Sequence, residues 1–328
     1  MPRKRPAHRQ QQRQKQEISP SSIAAQALNP GLVVARFGAE LDVEDESGVL
    51  YRCTSRRKFG AVVCGDRVMW QPTHDNEGVI VERLPRTTLL ARPDDAGREK
   101  PIAANISRLI IVATVKALSD ESYYLNHNLI DRYVVAAESL SITPIILINK
   151  LDLLSGAERR QLEADLAPYR DIGYTLIHTS TQESHGLEQL RLQLKNQTCV
   201  FVGESGVGKS SIIASLLTQV GIRVGAVSAL SGKGKHTTTA STLYHLDGGG
   251  DLIDSPGVRA FGLMRIEPAD LAHGFIEFRP YLGRCKFHNC IHHAEPQCAV
   301  KQAVADGRIS PRRYANYLEI LVSLSACR

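Results

Sequence analysis

The sequence lacks a long uncharged apolar stretch, since no run of about 18 residues is apolar enough to be a candidate membrane helix. No apolar segment follows the basic residues at the N-terminus, as it would in a secretory signal peptide. Its seven cysteines lack the even number and regular spacing of a disulfide framework, and three of them lie between Cys285 and Cys298. These absences argue against membrane-spanning and disulfide-rich secreted proteins, and they predict a cytoplasmic protein.

Positive charge is concentrated at the two ends of the chain. Residues 1–17 hold six Lys or Arg and one acidic residue, and residues 279–328 hold eight against three. This pattern is typical of a protein that binds a polyanion such as RNA. A solubilising tail and a solvated basic face are the alternative interpretation.

The 328 residues exceed one typical domain, so we expect several. Residues 1–30 are basic and Gln-rich, which predicts a disordered arm. Residues 31–93 contain five short alternating apolar segments separated by turn residues, which predicts a small β-barrel of the OB-fold type. Arg56, Arg57 and Lys58 would suit a barrel that binds nucleic acid, and a purely structural barrel fits the same pattern.

Residues 94–266 are the next predicted domain. Its beginning overlaps a stretch, 92–105, that is predicted to be a linker. Apolar strands alternate here with amphipathic helices, which predicts a parallel sheet with helices on both faces. In such a sheet ligands bind beyond the carboxyl ends of the strands. The fold class is therefore predicted to be multidomain α/β.

One of these strands is followed by GESGVGKS, a P-loop of the form GxxxxGK[ST], and then by a helix. Glycines let backbone N–H groups close around phosphate, and the helix N-terminus favours the anion. Lys209 would reach the β- and γ-phosphates, and the Ser210 hydroxyl would bind Mg²⁺. The residues predicted to bind nucleotide here are Gly203, Glu204, Ser205, Gly206, Val207, Gly208, Lys209, Ser210 and Ser211.

The tetrapeptide Asn149-Lys150-Leu151-Asp152 ends an earlier strand and has the form NKxD. The Asp152 carboxylate can accept hydrogen bonds from N1–H and the exocyclic amine of guanine, a donor pair that adenine lacks. Thr179 and Ser180 end the next strand and are predicted to support the base. Together these residues predict a site selective for guanine nucleotides.

A second phosphate-proximal motif, DxxG in the form Asp254-Ser-Pro-Gly257, follows the P-loop. Asp254 would help to hold Mg²⁺, and the Gly257 N–H would contact the γ-phosphate. The preceding Gly- and Thr-rich stretch predicts a flexible switch in which Thr237 or Thr238 reaches Mg²⁺, with Thr239 an open alternative.

Val258 stands where many GTPases carry the Gln that orients water. His236 is a candidate replacement, although a loop histidine without a catalytic role is an equal alternative.

The order of these motifs is unusual. In Ras-like GTPases the P-loop and DxxG precede NKxD, whereas here NKxD comes first. This order predicts a circularly permuted GTPase domain, in which the same site is built from rearranged chain segments.

Residues 267–328 form the last predicted domain, which is α-rich. Its cysteines and histidine follow the pattern C-x4-C-x-H-x5-C, and four such ligands predict one structural Zn²⁺ site. The predicted ligands are Cys285, Cys290, His292 and Cys298, with His288 and His293 as competitors. A helix over 314–324 should pack its apolar stripe, including Val322, on the body of the protein. A basic surface is predicted from Arg279, Arg284, Lys286, Lys301, Arg308, Arg312 and Arg313.

The motifs NKLD, GESGVGKS, GKGKHTTT, DSPG and CKFHNCIHHAEPQC, in this order, resemble the ribosome small-subunit-dependent GTPase A (RsgA/YjeQ) family over about residues 31–328. The resemblance implies an OB-fold, a permuted GTPase domain and a zinc domain. It also implies late-stage maturation of the small ribosomal subunit, GTP hydrolysis on that subunit, and a catalytic role for His236. Two features depart from the family: the long basic arm, and Gln297 in place of a usual Gly.

We therefore expect a monomeric GTPase that uses Mg²⁺, binds GTP and GDP, and has the small ribosomal subunit and its rRNA as partners. The alternative from another class is a nucleotide-gated RNA-binding adaptor with negligible turnover. An ATP-using enzyme is disfavoured by Asp152.

Overall fold

Five strands near the N-terminus close into a barrel. The computed structural model describes residues 28–56, 59–74, 76–93, 98–118, 122–180, 185–217, 241–255 and 268–326. The barrel strands are β1 (Asn29–Phe37), β2 (Glu40–Glu44), β3 (Leu50–Ser55), β4 (Arg67–Pro72) and β5 (Glu77–Arg83). They are ordered β1-β2-β3-β5-β4, and β4 pairs back with β1. This architecture confirms the predicted OB-like barrel.

The barrel closes because alternate apolar side chains meet inside it. Trp70 is almost completely buried in this core with Val43 and Ile80. A Cβ at Gly31 would lie 2.5 Å from Val43 Cγ1 and 2.9 Å from the Trp70 ring, so a residue without a side chain is required there. The predicted disordered arm lies almost entirely outside the described residues, as do Arg57 and Lys58.

The prediction of a linker at 92–105 is wrong. Strands β6 (Leu89–Pro93) and β7 (Glu99–Ala104) form an antiparallel hairpin instead. Leu90 and Ala103 are completely buried there, and Ala104 donates its N–H to the carbonyl of Cys64 at 3.0 Å. Apolar burial gives this short segment a defined structure where the polar composition of residues 93–100 had suggested none.

The GTPase-like domain has a sheet of order β12-β11-β8-β13-β15-β14. Its parallel strands are β8 (Arg108–Thr114), β11 (Thr143–Asn149), β12 (Thr175–Thr179), β13 (Thr198–Val202) and β15 (Asp251–Asp254). Helices α1 (His127–Ser139) and α2 (Gly156–Asp171) contribute to the core on one face, and α3 (His185–Leu194) and α4 (Lys209–Leu217) to the core on the other. A minor pair, β9 (Lys116–Ala117) and β10 (Tyr123–Tyr124), leads into α1.

Strand β14 (Ser241–His245) differs from its neighbours because it runs antiparallel to β15. Its other edge pairs with barrel strand β1, with Ala35 opposite Thr242 and Arg36 opposite Ser241. The barrel and the GTPase-like domain therefore share one sheet of 11 strands. The sequence pattern did not predict this junction.

The C-terminal region is α-rich, as predicted. It contains α5 (Pro268–Gly274), a 3₁₀ helix (Ile276–Tyr281), α6 (Ala299–Ala305) and α7 (Pro311–Ala326). Tyr317 lies in its core with Phe275 and Phe278, and Val135 of α1 joins the same core.

Two predictions for the C-terminal helix were wrong. Val322 is 60% exposed and does not pack on the body of the protein. Arg313 was assigned to the basic surface, yet it is only 1% exposed. It lies in the interface with the GTPase-like domain, where Asp131 of α1 accepts its hydrogen bond. Within the described residues, no helix combines the length and apolarity that crossing a membrane would need.

Candidate nucleotide site and metal centre

The glycine-rich loop 203–208 joins β13 to α4 at the carboxyl edge of the sheet. Gly203 and Gly208 have φ values of 138° and 100°, in the region that favours glycine. A Cβ on Gly203 would lie 2.1 Å from the Val112 carbonyl oxygen, and one on Gly208 would lie 2.3 Å from Asn149 Nδ2. The two glycines therefore let the loop lie directly against β8 and the end of β11.

The first turn of α4 carries the lysine and serines of the motif. Lys209 Nζ donates to the Gly203 carbonyl at 2.8 Å and also contacts the Glu204 carbonyl, so its ammonium group folds back over the loop. Ser210 and Ser211 are exposed, while Val207 is buried and anchors the loop in the core. The backbone N–H groups at this helix N-terminus and the ammonium group can together hold a phosphate chain.

Asn149 ties the NKxD segment to the P-loop. It is 1% exposed, donates from Nδ2 to the Val207 carbonyl at 2.9 Å, and accepts at Oδ1 from the Thr179 hydroxyl at 3.2 Å. Lys150 adopts φ 64° and donates from Nζ to the Gly206 carbonyl at 3.1 Å. These two side chains thus fix the shape of the P-loop, a role that the sequence motif alone did not indicate.

Asp152 lies in the 3₁₀ turn Leu151–Leu153, just beyond this tie. Ser180 follows β12 directly, and its hydroxyl donates to Asp152 Oδ1 at 2.7 Å. The structure therefore brings Asp152 and Ser180 together on the same edge of the sheet as the P-loop. Such an oriented carboxylate suits recognition of a base with two adjacent N–H donors.

The remaining predicted nucleotide residues are only partly described. Asp254 ends β15, which lies beside the P-loop strand β13. Ser255 follows it and accepts a hydrogen bond from the Ser241 hydroxyl at 2.7 Å, so the two strands of the β14–β15 hairpin are joined at this edge. His236, Thr237, Thr238 and Gly257 lie outside the described residues.

Sequence reasoning also missed a contact between the P-loop and the start of α1. Asn126, the N-cap of α1, donates from Nδ2 to Glu204 Oε1 at 2.8 Å. An Asn directly before an amphipathic helix is a typical N-cap, so the sequence could have indicated the capping role of Asn126. Its hydrogen bond to Glu204 depends on the tertiary fold.

The four predicted zinc ligands converge in the C-terminal region. The donor atoms of Cys285, Cys290, His292 and Cys298 all lie within 4.8 Å of one another. His292 Nδ1 is 3.5 Å from two of the sulfurs and 3.4 Å from the third, and the Sγ atoms of Cys285 and Cys298 are 3.8 Å apart. A tetrahedral Zn²⁺ with ordinary bond lengths would separate sulfurs by about 3.8 Å and sulfur from nitrogen by about 3.5 Å. The donor set therefore fits a closed metal centre.

Hydrogen bonds from α7 orient the loop that carries the metal ligands. The Tyr314 hydroxyl of α7 donates to the His292 carbonyl at 2.8 Å, and the Tyr317 hydroxyl donates to the Ile291 carbonyl at 2.5 Å. Burial lowers the pKa of His292, which favours the neutral imidazole that binds metals. The competing candidates His288 and His293 are exposed.

Gln297, which departs from the usual glycine of the resembled family, has φ 54°. It therefore adopts the left-handed conformation that glycine tolerates best.

The family model described as RsgA GTPase matches residues 83–264. A protein named small ribosomal subunit biogenesis GTPase RsgA, from Ectopseudomonas mendocina, is 48% identical over 298 residues, which span 90% of this chain and 85% of that protein. A protein of the same name from Marinobacter nauticus is 46% identical over 320 residues, which span 95% of this chain and 90% of that protein.

Solved structures show the same likeness. YjeQ from Thermotoga maritima superposes with a TM-score of 0.75 at 32% identity, covering 92% of this chain and all of that one. YloQ, described as a circularly permuted GTPase, has a TM-score of 0.72 at 29% identity, covering 92% of this chain and 96% of that one. These matches extend over the barrel, the permuted sheet and the C-terminal region.

Proposed function

The chain belongs to the RsgA family of GTPases, and we propose that it acts in late maturation of the small ribosomal subunit, whose binding stimulates its GTP hydrolysis. For the nucleotide chemistry, the observation that carries the proposal is the hydrogen bond from Asn149 to the Val207 carbonyl. It supports a single nucleotide site, because it brings together motifs that are 58 residues apart and in permuted order. The names of the relatives support the ribosomal role, and the basic chain ends support contact with rRNA.

GTP would bind with its phosphates in loop 203–208. The backbone N–H groups of the loop and Lys209 would neutralise the phosphate charge. Ser210, Asp254 and either Thr237 or Thr238 would hold Mg²⁺, which supplies charge stabilisation at the transferred phosphoryl group.

Asp152 would select guanine. Its carboxylate, oriented by Ser180, would accept from the two N–H donors of the base edge, while Asn149, Lys150 and Thr179 keep the surrounding loops in place. ATP would be rejected because adenine leaves the carboxylate without those donors.

His236 would take part in hydrolysis in place of the missing Gln. Val258 has no amide to orient water, whereas an imidazole can hydrogen-bond to the attacking water. A histidine carried by a segment that the subunit orders would link docking to turnover.

Zn²⁺ in the Cys₃His centre would be structural, because four protein ligands leave no open position for substrate. It would keep the loop 285–298 folded against α7. The GTPase-like domain would bind nucleotide, while the barrel and the zinc domain would contact the subunit.

The decisive experiment measures GTP hydrolysis by the full chain at fixed low salt, alone and with purified small or large ribosomal subunits. Stimulation by small subunits and much less by large ones is expected. Equal slow rates in all mixtures would overturn the proposal and favour an RNA-binding adaptor with negligible turnover. A His236→Ala variant should lose the stimulated rate and still bind the nucleotide.

Base selection is tested with Asp152→Asn. Xanthine carries an oxygen where guanine has its amine, so the variant should bind GTP about 10- to 100-fold more weakly and gain affinity for XTP. Asp247→Asn, in the exposed turn of the β14–β15 hairpin, is the matched control and should leave the preference unchanged. Equal preference in all three proteins would refute the role of Asp152.

A further inference from the structure

Two large apolar side chains stand on the surface of the metal-binding loop. Phe287 is 41% exposed and Ile291 is 40% exposed. Phe287 lies between the first two metal ligands and Ile291 between the second and third, so ligands that face the metal centre flank each of them. The metal ligands therefore fix the loop so that Phe287 and Ile291 stay on its surface and do not turn into the core.

The backbone of this loop is also fastened to α7. The Tyr317 hydroxyl donates to the carbonyl of Ile291 itself, and the Tyr314 hydroxyl donates to the carbonyl of the next residue, His292. A ring that is held in place loses little conformational entropy when a partner stacks on it.

The surroundings of Phe287 are positively charged. Lys286 Nζ lies 5.7 Å from the centre of the Phe287 ring, and Arg284 is exposed on the same loop. Residues 283–294 contain no Asp or Glu. Glu295, the next residue, accepts hydrogen bonds from the N–H groups of Ile291 and His293, each at 2.8 Å, so its carboxylate faces the loop backbone.

An exposed apolar residue alone is ordinary. An aromatic ring with adjacent cations on a braced loop is instead the combination that holds single-stranded nucleic acid, because a base stacks on the ring and the cations meet phosphates. Phe287 remains 41% exposed with Lys286 in place, so surface is open for a base.

We propose that Phe287 is a stacking platform for an unpaired base of RNA, with Lys286 and Arg284 contacting the adjoining phosphates. The inference rests on the proposed ribosomal function and names the chemistry by which the metal-binding loop contacts rRNA. Ile291 extends the apolar surface beside the ring.

The first test compares Phe287→Ala with wild type in binding to small ribosomal subunits and to a single-stranded RNA oligonucleotide. Loss of one stacked base should weaken binding about 5- to 150-fold. Leu192→Ala, which removes a 75% exposed side chain from α3, is the matched control and should bind like wild type. The zinc content of each variant establishes that the loop is intact.

Salt dependence separates stacking from charge. Phe287→Ala should leave the slope of log affinity against log salt unchanged, because the phosphate contacts remain. Lys286→Ala and Arg284→Ala should each reduce that slope by about 0.7 for a single strand. A phenylalanine variant that changes the slope as the lysine variant does would overturn the stacking role.

A tryptophan at the position supplies a direct signal. The chain has one tryptophan, Trp70, which is 1% exposed in the barrel core. Phe287→Trp should retain binding, and its fluorescence should be quenched when RNA stacks on the new ring. If Phe287→Ala lost affinity for subunits, yet the oligonucleotide neither quenched Phe287→Trp nor discriminated between wild type and Phe287→Ala, the ring would contact a ribosomal protein and the proposal would be wrong.

Failure of this inference can be told from failure of the proposed function. Wild-type stimulation by small subunits, combined with unchanged binding by Phe287→Ala, would refute the stacking platform alone. An absence of stimulation, combined with quenching of Phe287→Trp by the oligonucleotide, would refute the ribosomal role and leave the RNA platform standing.

Discussion

The GTPase domain is joined to its two neighbours by different means. On the barrel side, backbone hydrogen bonds pair β1 with β14, Val34 and Cys64 share a buried apolar cluster with Leu243 and Ile253, and an exposed side-chain bridge lies beside them. In that bridge His245 contacts Asp251 at 2.6 Å and Glu44 of the barrel at 2.5 Å. On the C-terminal side the junction is a buried network of charged and polar side chains.

Arg313 of α7 is the centre of the buried network. Its guanidinium contacts Asp131 of α1 and binds Glu277 through two hydrogen bonds, of 2.8 and 3.0 Å. Asp131 also accepts from Tyr169 at 2.7 Å and from Asn316 at 2.5 Å. Burial opposes the charge on Arg313, but the two adjacent carboxylates raise its pKa above the ordinary range.

The difference in solvent exposure determines what each junction can do. His245 is half exposed, so water screens its bridge and each partner can be solvated alone. The Arg313 network is buried, so separating its members would leave uncompensated charge in the interface. We therefore expect the buried network to stabilise its junction much more than the exposed His245 bridge stabilises the barrel junction, where the backbone ladder and buried apolar contacts remain.

The largest expected effect comes from Arg313→Ala. Removal of the guanidinium leaves Asp131 and Glu277 buried without their cation, and the local free energy of unfolding of the C-terminal region should fall by about 3–5 kcal/mol. Hydrogen exchange of the α7 amides measures this local change without assuming that a multidomain chain unfolds in one step.

The matched control for this variant is Arg279→Ala. Arg279 pairs with Glu138 of α1 at 2.7 Å in the same interface, but its side chain is 46% exposed. Its loss should change the stability by less than about 1 kcal/mol. Equal effects of the two substitutions would show that burial does not distinguish these contacts.

A smaller effect is expected from Gly274→Ala, at the end of α5. A Cβ there would lie 2.5 Å from Val135 Cγ1 and 3.2 Å from Val135 Cα, so α1 would have to shift. Overpacking of this kind destabilises by about 1–3 kcal/mol. Gly156→Ala, at the start of α2, is the matched control, because a Cβ there would meet only the end of the Arg160 side chain, at 3.9 Å.

Hydrogen exchange should show the Gly274→Ala loss in both α5 and α1. Unchanged protection in α1 would mean that the interface adjusts freely, which would contradict the overpacking expected at Val135.

The sequence predicted the elements whose signal is local. Apolar runs indicated strands β8, β11 and β13, the last two ending in a motif, and the order of NKxD and the P-loop indicated the permutation that YloQ is described as having. These features were accessible because each motif sits at the end of its own strand. Pairing between distant segments left no such signal.

The two junctions illustrate what the sequence could not provide. Arg312 and Arg313 are adjacent arginines in PRRY, yet only Arg313 is buried by α1 and the 3₁₀ helix. Their environments depend on the direction of each side chain around α7, which is set by tertiary packing. The pairing of β14 with β1 likewise joins segments about 200 residues apart, and the polar composition of residues 93–100 obscured the pairing of β6 with β7.

The smallest effect is expected at the barrel junction, with His245→Gln. Hydrogen bonds from Asp251 and Glu44 raise the pKa of His245 to about 10. Protonated His245 therefore stabilises the folded state. This contribution is complete below the unfolded pKa of about 6.5 and is lost as the pH rises towards about 10. Because the ring is half exposed, the difference in stability between wild type and variant should stay below about 1 kcal/mol at neutral pH and shrink at alkaline pH.

Chemical denaturation of both proteins across that pH range measures the difference, and Glu44→Gln separates the bridge from the histidine itself. In the Glu44→Gln background the His245→Gln substitution should cost less, because the link between β2 and β14 is already broken. A pH-independent difference would show that the charge on His245 does not contribute to stability. A difference as large as that of Arg313→Ala would mean that the exposed bridge stabilises its junction as much as the buried network does. The contrast in strength between the exposed bridge and the buried network would then fail.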